Sequence, residues 1–555
     1  MFQLSATTTV LLLVGFYGLT FILTRTIREK KENVDGFMVS NSAIGFGISA
    51  TSMTATWVWA ASFYASSSSG YTYGLSGPIH YGLWGALMIL CIYPFGRRFR
   101  ELAPRAHTLA ELMRARHGKS SQLILAFSNI AGSIISLTAN FTAAGALVEI
   151  LTPFDFVHGV LAVAVGVLGY TLWSGFRASV LTDYAQLVAM MLAAAIIIPM
   201  VFFAAGGTNV IDEGMLKITD EQANFFSGTA FLEQGAPYLA AVLAYAVGNQ
   251  TIAQRLFAVR QDKIKATFIT ATLGYAGTVI GLGMIGLVAL MVGLQPMDGD
   301  MNNIIPQMAS DYLPAFMIGV LFIMVIGSLS STADADLAAL SSLVMTDIYG
   351  RNLARNKVKP ETMLMIGRMT MVGATAIGVM IAMTKFDILD LLVFMGGLWG
   401  ALVFPVIVSC FWDRISNLAF TMAAILGVAF FVVARFELLE LTGIVGIVME
   451  VAAAIGAAVV FGLMAFGFLG KRVGLGVAGV TFVVLTPFMV GFLRDYETLL
   501  GALVAYGVST VTCVLITLRN TERFDFSLIS ERVTEFQGQD QGRRPERGDD
   551  AVPAR

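Results

Sequence analysis

The stretch "SLSSTADADLAALSS", Ser328 to Ser342, carries six hydroxyls and two carboxylates inside an otherwise apolar run, "FMIGVLFIMVIGSLSSTADADLAALSSLVMTDIYG". At about 100° of helix per residue, Ser328, Ser331 and Thr332 form one narrow stripe. Asp334 flanks it beside Ser331, and Asp336 flanks it beside Thr332. Isolated Ser or Thr residues in a membrane helix often do no more than back-bond to preceding carbonyls. Two carboxylates do not fit that account, because they are costly in lipid and normally face a cavity, a partner or an ion. Hard oxygens beside carboxylates suit a small hard cation. Sodium is the leading candidate; protons could use the carboxylates and would not need the hydroxyls.

Such a site needs ligands from a second element, ideally a helix broken near the midplane so that its carbonyls are free. The segment "ISATSMTATWVWAASFYASSSSGYTYG" offers one break, with small and hydroxylated residues from Ser49 to Thr56 followed by Trp57 and Trp59. "YAVGNQTIAQRLFA" offers another, with Gly248-Asn249-Gln250 in its middle.

The elements that must position these residues are membrane spans. The chain has 555 residues, 56% hydrophobic and 13% charged, where soluble domains carry about 25% charged residues. Its mean hydropathy is +0.76. A span needs roughly 20 mainly apolar residues, and candidates fall at 6–25, 43–66, 79–96, 121–150, 157–174, 182–204, 236–257, 266–293, 313–346, 362–384, 388–411, 417–434, 441–469, 473–493 and 498–518. The first is read as a retained helix and not a cleaved signal, because its basic residues (Arg25, Arg28, Lys30, Lys31) follow the apolar run.

Basic residues cluster after every second span or so: Arg97 to Lys119, then Arg255, Arg260, Lys263 and Lys265, then Arg351 to Lys359, then Lys471 and Arg472. The opposite loops carry Asp212, Glu213, Asp220, Glu221, Asp298, Asp300 and Asp311. The positive-inside rule then places the N-terminus outside and the C-terminus in the cytoplasm of a multi-pass protein of the cell membrane. The two interrupted spans stand at matching positions of two sets of five, an odd offset that reverses orientation and marks an inverted repeat.

Other classes of function find no support. The net charge of −2 comes with no basic patch of interleaved aromatics, so nucleic acid is not expected. No phosphate-binding GxxxxGK[ST] motif occurs, so no ATP-binding domain is expected. Cys91, Cys410 and Cys513 lack ligand spacing and read as free thiols. The tail from 519, ending "QGQDQGRRPERGDDAVPAR", reads as disordered.

Three ordered motifs carry a family resemblance. "SSTADADLAALSSLVMTDIYG", "GNQTIAQRLFAV" and "GFRASVLTDYAQLV" resemble the corresponding segments of the sodium:solute symporters. "SATSMTATWVWAAS…YTYGLSGPIHYG" followed by "APRAHTLAELMRARHG" is similar to the urea active transporters of that family. The segment "GNQTIAQRLF" departs from that subgroup, in which an acidic residue before the Gln and aromatics before the Gln-Arg are expected.

The resemblance implies an all-α integral membrane protein with the LeuT-type five-plus-five inverted repeat and about fifteen spans in all. The expected division is 1–42 for an extra helix and cytoplasmic linker, 43–235 and 236–412 for the repeats, 413–518 for four added helices and 519–555 for the tail. Carried over, the sodium ligands are the carbonyls of Ser52, Ala55 and Ser328 and the hydroxyls of Ser331 and Thr332. Asp183 is associated with cation binding or its route, against the plainer reading of a carboxylate beside Arg177. Asp334 and Asp336 match no fixed family ligand and stand as candidates for a proton or ion route.

The candidate solute wall is Trp57, Trp59, Tyr245, Asn249, Gln250 and Trp399. Amides and indoles suit a small, neutral, hydrogen-bonding molecule such as urea. An anion would call for an Arg or Lys at mid-depth, and none is read there in 43–66, 121–150, 236–257 or 388–411, with Arg255 counted in the basic loop. The leading expectation is therefore a transporter, not an enzyme: a sodium-coupled urea-type symporter. The alternatives are a symporter of the same family for an amino acid, sugar or polyamine, and a passive channel or transport-like sensor. Whether Glu149, at the outer end of 121–150, reaches the cavity stays open.

Overall fold

The computed structural model describes residues 2–26, 33–355, 357–385, 388–534 and 536, and within these the side chains at 60, 61, 174, 246 and 388–393 are left aside. The architecture is helical throughout, as the bilayer demands, because a spanning segment has no water to satisfy its amides and carbonyls. The principal helices are α1 (Ala6–Thr26), α2 (Phe46–Trp57), α3 (Ala60–Tyr73), α4 (Ser76–Leu102), α5 (Leu109–Arg116) and α6 (Lys119–Leu151). Then follow α7 (Phe156–Trp173) and α8 (Gly175–Ala204), joined across Gly175 at φ +53°. The second half holds α9 (Ala236–Gly248), α10 (Gln250–Ala258), α11 (Ile264–Val292), α12 (Ala315–Leu343), α13 (Pro360–Ala382) and α14 (Ile388–Ser409). The last are α15 (Asn417–Arg435), α16 (Gly443–Leu469), α17 (Lys471–Met489), α18 (Glu497–Arg519) and the short α19 (Ser527–Arg532).

Among the described residues, twelve helices are long and apolar enough to cross a bilayer. They coincide with expected spans. Of the remaining expected spans, 43–66 is the broken pair α2/α3, 236–257 is the broken pair α9/α10, and 388–411 is α14. The break in 43–66 does not fall within Ser49–Thr56, which is helical. There the hydroxyls bond back along the helix, Thr54 to the Ala50 carbonyl and Thr56 to the Ser52 carbonyl (both 2.9 Å), and the chain opens only at Val58-Trp59.

The core is built by close approach of small residues, which is how helices pack without a hydrophobic drive between them. α11 lies against α3 and α4, and α12 lies against α6, α8 and α2. A Cβ at Gly286 would stand 1.8 Å from the Ser67 carbonyl oxygen, so α3 and α11 can touch only because that side chain is missing. The two broken pairs are also tied end to end: the Ile44 amide donates to the Ala258 carbonyl (3.1 Å) and the Arg260 amide to the Ile44 carbonyl (3.0 Å).

Loops expected on one side do meet on one face. On the arginine-rich face, His107 lies between Asp35 (2.6 Å) and Glu111 (3.2 Å), and Glu111 also pairs with Arg351. Burial works against a charged ring at His107, but the bonds to Asp35 and Glu111 outweigh it and raise it from 6.5 to about 9. Burial likewise opposes the Glu111 carboxylate, and Arg351 with His107 outweighs it, bringing it from 4.5 to about 2. On the opposite face Leu75 bonds Gln222 and Ser76 accepts from the Ser227 amide.

One expectation needs correcting. The segment from Asn520 to Thr534, read as part of a disordered tail, is a strap laid across the arginine-rich face. Arg116 stacks over Phe524 (4.2 Å), Arg98 over Phe526 (5.7 Å) and Arg351 over Phe536 (4.4 Å), and Arg532 donates to the Ala115 carbonyl (2.9 Å). Composition missed it because its aromatics are spaced among polar residues and find their partners on helix ends far away in sequence.

Candidate functional site

The two broken helices frame the site. At the first break Val58 (φ −85°, ψ 78°) and Trp59 (φ −116°, ψ −168°) leave the helix. The Trp59 amide, which would close the next turn onto Ala55, donates to Ser62 Oγ (3.2 Å), and Ser62 Oγ in turn donates to the Trp57 carbonyl (2.8 Å). The Ala55 carbonyl is thereby released from the ladder. At the second break Asn249 is extended (φ −97°, ψ 105°), and its side-chain oxygen accepts from the Thr251 amide (2.9 Å) and the Thr251 hydroxyl. A break of this kind costs backbone hydrogen bonds unless side chains or ligands replace them, and here short polar side chains supply part of that.

The hydroxyl stripe of α12 faces the first break. Thr332 donates to the Thr56 carbonyl (3.1 Å) and Ser328 Oγ donates to the Val58 carbonyl. Ser331 donates to Asp183 Oδ1, and Ser52 donates to Asp183 Oδ2 (2.5 Å). So Ser52, Ser328, Ser331, Thr332 and Asp183, together with the freed Ala55 carbonyl, come from α2, α8 and α12 to one buried locus. Each hydroxyl hydrogen is committed to an acceptor, which leaves oxygen lone pairs as the groups a cation could use.

Asp183 also meets a basic residue from the second broken helix. Its partner is Arg255 on α10, Nη2 to Oδ2 at 2.8 Å, and Arg255 Nε also reaches Ser52 Oγ (2.9 Å). Arg255 is buried and belongs to the second half of the broken span, so the expectation of no basic residue at depth in 236–257 is overturned. The count assigned it to a loop because a broken helix turns its last residues back into the core. The pair is internally neutralised and offers no spare positive charge to an anion.

The two remaining acids of α12 diverge as the helical wheel implies. Asp334 turns toward α7 and α8, accepting from Tyr170 (2.6 Å) and Thr182 (3.2 Å). Asp336 turns the other way and accepts from Ser136 of α6 (2.6 Å).

Between the breaks lies a small cavity of about 20 Å³, whose wall includes Thr56, Trp57, Trp59, Tyr245, Asn249 and Asp336. Trp57 and Tyr245 meet with ring centroids 5.7 Å apart. Two expected wall residues lie elsewhere. Gln250 points to the arginine-rich face and donates to the His107 carbonyl (3.0 Å). Trp399 packs behind Tyr245 (5.0 Å), with its indole in a notch where Cβ atoms at Gly132 and Gly248 would stand 2.0 and 1.9 Å from the ring. Ser136 and Thr251, which also line the cavity, were not foreseen. Thr251 could have been found from its place just after the Asn249 break; a lone Ser136 in a long helix gave no signal. Glu149 is remote from the cavity, in an exposed pair with Lys385 (3.3 Å).

The model for the sodium:solute symporter family matches residues 37–427. The chain belongs to the sodium:solute symporter family. It is 24% identical over 438 residues to the sodium/pantothenate symporter of Escherichia coli, covering 75% of this chain and 87% of that one. It is 24% identical over 472 residues to a probable urea active transporter of Schizosaccharomyces pombe, covering 76% and 69%. Among solved structures it resembles a Na+-coupled sialic acid symporter in a substrate-bound, outward-open state, with a TM-score of 0.66 at 16% identity over 87% of this chain and 98% of the other. The fold is therefore the LeuT-type fold of sodium symporters, and the protein is a transporter of this family.

Proposed function

We propose that the protein couples inward sodium movement to uptake of a small neutral solute, with urea as the leading candidate, by alternating access. The observation that carries this reading is the convergence of the α12 hydroxyl stripe on the α2/α3 break, beside a cavity shared with the α9/α10 break. In this reading sodium is held by the carbonyls of Ser52, Ala55 and Ser328 and the hydroxyls of Ser331 and Thr332, with Asp183 as the adjacent charge. A hydroxyl-and-carbonyl cage binds an ion weakly enough to let it leave, as a transport cycle requires. The residues from 43 to 235 and from 236 to 412 act as the two repeats. The N-terminus lies outside and the arginine-rich face lies in the cytoplasm, at the cell membrane.

Sodium ties α2 to α12 and favours the arrangement that takes up solute; rocking of the four-helix bundle against the scaffold then exposes both to the other side. Each elementary charge crossing 100 mV is worth about 2.3 kcal/mol, enough to concentrate a neutral solute about 50-fold at one ion per solute. The urea-type motifs at Ser49–Gly82 and Ala103–Gly118 support the solute assignment. A second reading, another small solute on the same machinery, is favoured by the long match to a pantothenate symporter. Labelled-urea uptake into proteoliposomes under an inward sodium gradient tests the first reading. Sodium-driven accumulation supports it; accumulation driven only by a proton gradient would move the coupling to the carboxylates. No urea uptake would discard the urea assignment.

A further inference from the structure

The cavity between the two breaks holds a carboxylate that the proposed ion site does not use. Asp336 is 1% exposed, lines the cavity, accepts from Ser136 Oγ at 2.6 Å, and joins no salt bridge among the described residues. A buried carboxylate in a membrane helix needs a partner, and one neutral hydroxyl occupies only part of its acceptor capacity.

The same cavity presents donors. Trp57 is 6% exposed, and its Nε1–H is buried with no hydrogen-bond partner among the described residues. Asn249 has its side-chain oxygen committed to the Thr251 amide and hydroxyl, so what it retains for the cavity is its NH2 group. In its ionised form Asp336 would give this wall one acceptor beside two neutral donors. Such a wall is complementary to a solute that has N–H groups at one end and a carbonyl oxygen at the other, and it opposes a carboxylate.

We infer that Asp336 is the specificity-determining acceptor of the transporter, taking the N–H groups of a ureido or primary-amide solute whose carbonyl turns to Trp57 Nε1 and Asn249 Nδ2. This rests on the cavity being the solute site of the proposed function and on its widening, when solute binds, from the space of about one water that it has here. It reassigns Asp336 from an ion route to solute selection, and it sets urea and small amides apart from carboxylates of the same size. Acetamide and acetate are the decisive pair, since they differ chiefly in exchanging NH2 for O⁻.

The test uses the purified full chain with sodium present and reads thermal stabilisation by urea, acetamide, guanidinium and acetate. The wild type should respond to the N–H solutes and not to acetate. Asp336→Asn should keep the stabilisation caused by sodium alone and weaken half-saturation by urea about tenfold or more. Trp57→Phe, which removes the indole donor and shortens the ring, should lose urea and acetamide while keeping guanidinium, which has no carbonyl; it carries the test if Asp336→Asn does not fold. A wild type that responds to acetate, or to none of the N–H solutes, overturns the inference. So does an Asp336→Asn protein with unchanged urea response, in which case the urea reading stands alone. Silence to urea with an Asp336-dependent response to acetamide or guanidinium sinks the urea reading and keeps this one.

Discussion

Asp183 and Arg255 lie 2.8 Å apart, carboxylate to guanidinium, and both are buried in the helical core. They come from α8 and α10, and the same carboxylate receives the hydroxyls of Ser52 and Ser331. One acid thus connects the second broken helix to the first and to the hydroxyl stripe.

Removing one member of a buried pair strands the other's charge, at a cost of about 3–5 kcal/mol. Arg255→Gln should therefore lower the thermal unfolding temperature sharply, and Asp183→Asn/Arg255→Gln should recover much of the loss. Unfolding followed by tryptophan fluorescence in detergent checks both. A double variant as unstable as the single one would mean that the pair does not act as a unit.

Ser331→Ala/Thr332→Ala deletes two hydroxyls from the proposed sodium cage and leaves its backbone carbonyls. Sodium affinity should fall about tenfold or more, with stability lowered by about 1–3 kcal/mol for each buried acceptor, on Asp183 and Thr56, that loses its donor. Isothermal titration with sodium, or sodium-dependent thermal shift, reads this directly. Unchanged affinity would remove the stripe from the ion site.

The cluster on the arginine-rich face gives stability a pH dependence. His107 holds its proton more tightly when folded, so its contribution is full below about 6.5 and fades as pH rises through about 9. Glu111 is shifted the other way, so its contribution is full above about 4.5 and is lost as pH falls through about 2. Stability should drop between pH 6.5 and 9.5, by up to about 3 kcal/mol from His107, and unfolding temperatures should fall with it. His107→Gln should flatten that limb, and a variant as steep as the wild type would refute the assignment.

Gly248→Ala places a methyl 1.9 Å from the Trp399 ring. Overpacking of this kind costs typically 1–3 kcal/mol, and Trp399→Leu in the same chain should return part of it. Calorimetry on the three proteins checks this. If Trp399 were a solute contact and not a wedge, Trp399→Leu alone would alter solute affinity without rescuing Gly248→Ala.

Cutting the chain after Arg519 would strip Phe524 and Phe526 from Arg116 and Arg98. The truncated protein should expose the last turn of α5 to trypsin at Arg114 and Arg116. Equal protease resistance would show that the strap adds no protection.

What the sequence determined by itself was whatever depends on local composition. Apolar length marked the spans, alternating charge sorted the loops onto two faces, and the 100° spacing put Ser328, Ser331 and Thr332 on one stripe with Asp334 and Asp336 diverging from it. Asn249 was legible as a break because a polar residue with a capping side chain follows Gly248. The first break was displaced, because Ser and Thr hydroxyls can bond back along a helix as well as end it. Pairings across distance belonged to the tertiary structure alone. Arg255 looked like a loop residue until the second break turned it toward Asp183, and Trp399 looked like a cavity wall until two glycines made room for it behind Tyr245. The strap looked disordered because its aromatics are stabilised by arginines hundreds of residues away, and a single segment's composition carries no record of such partners.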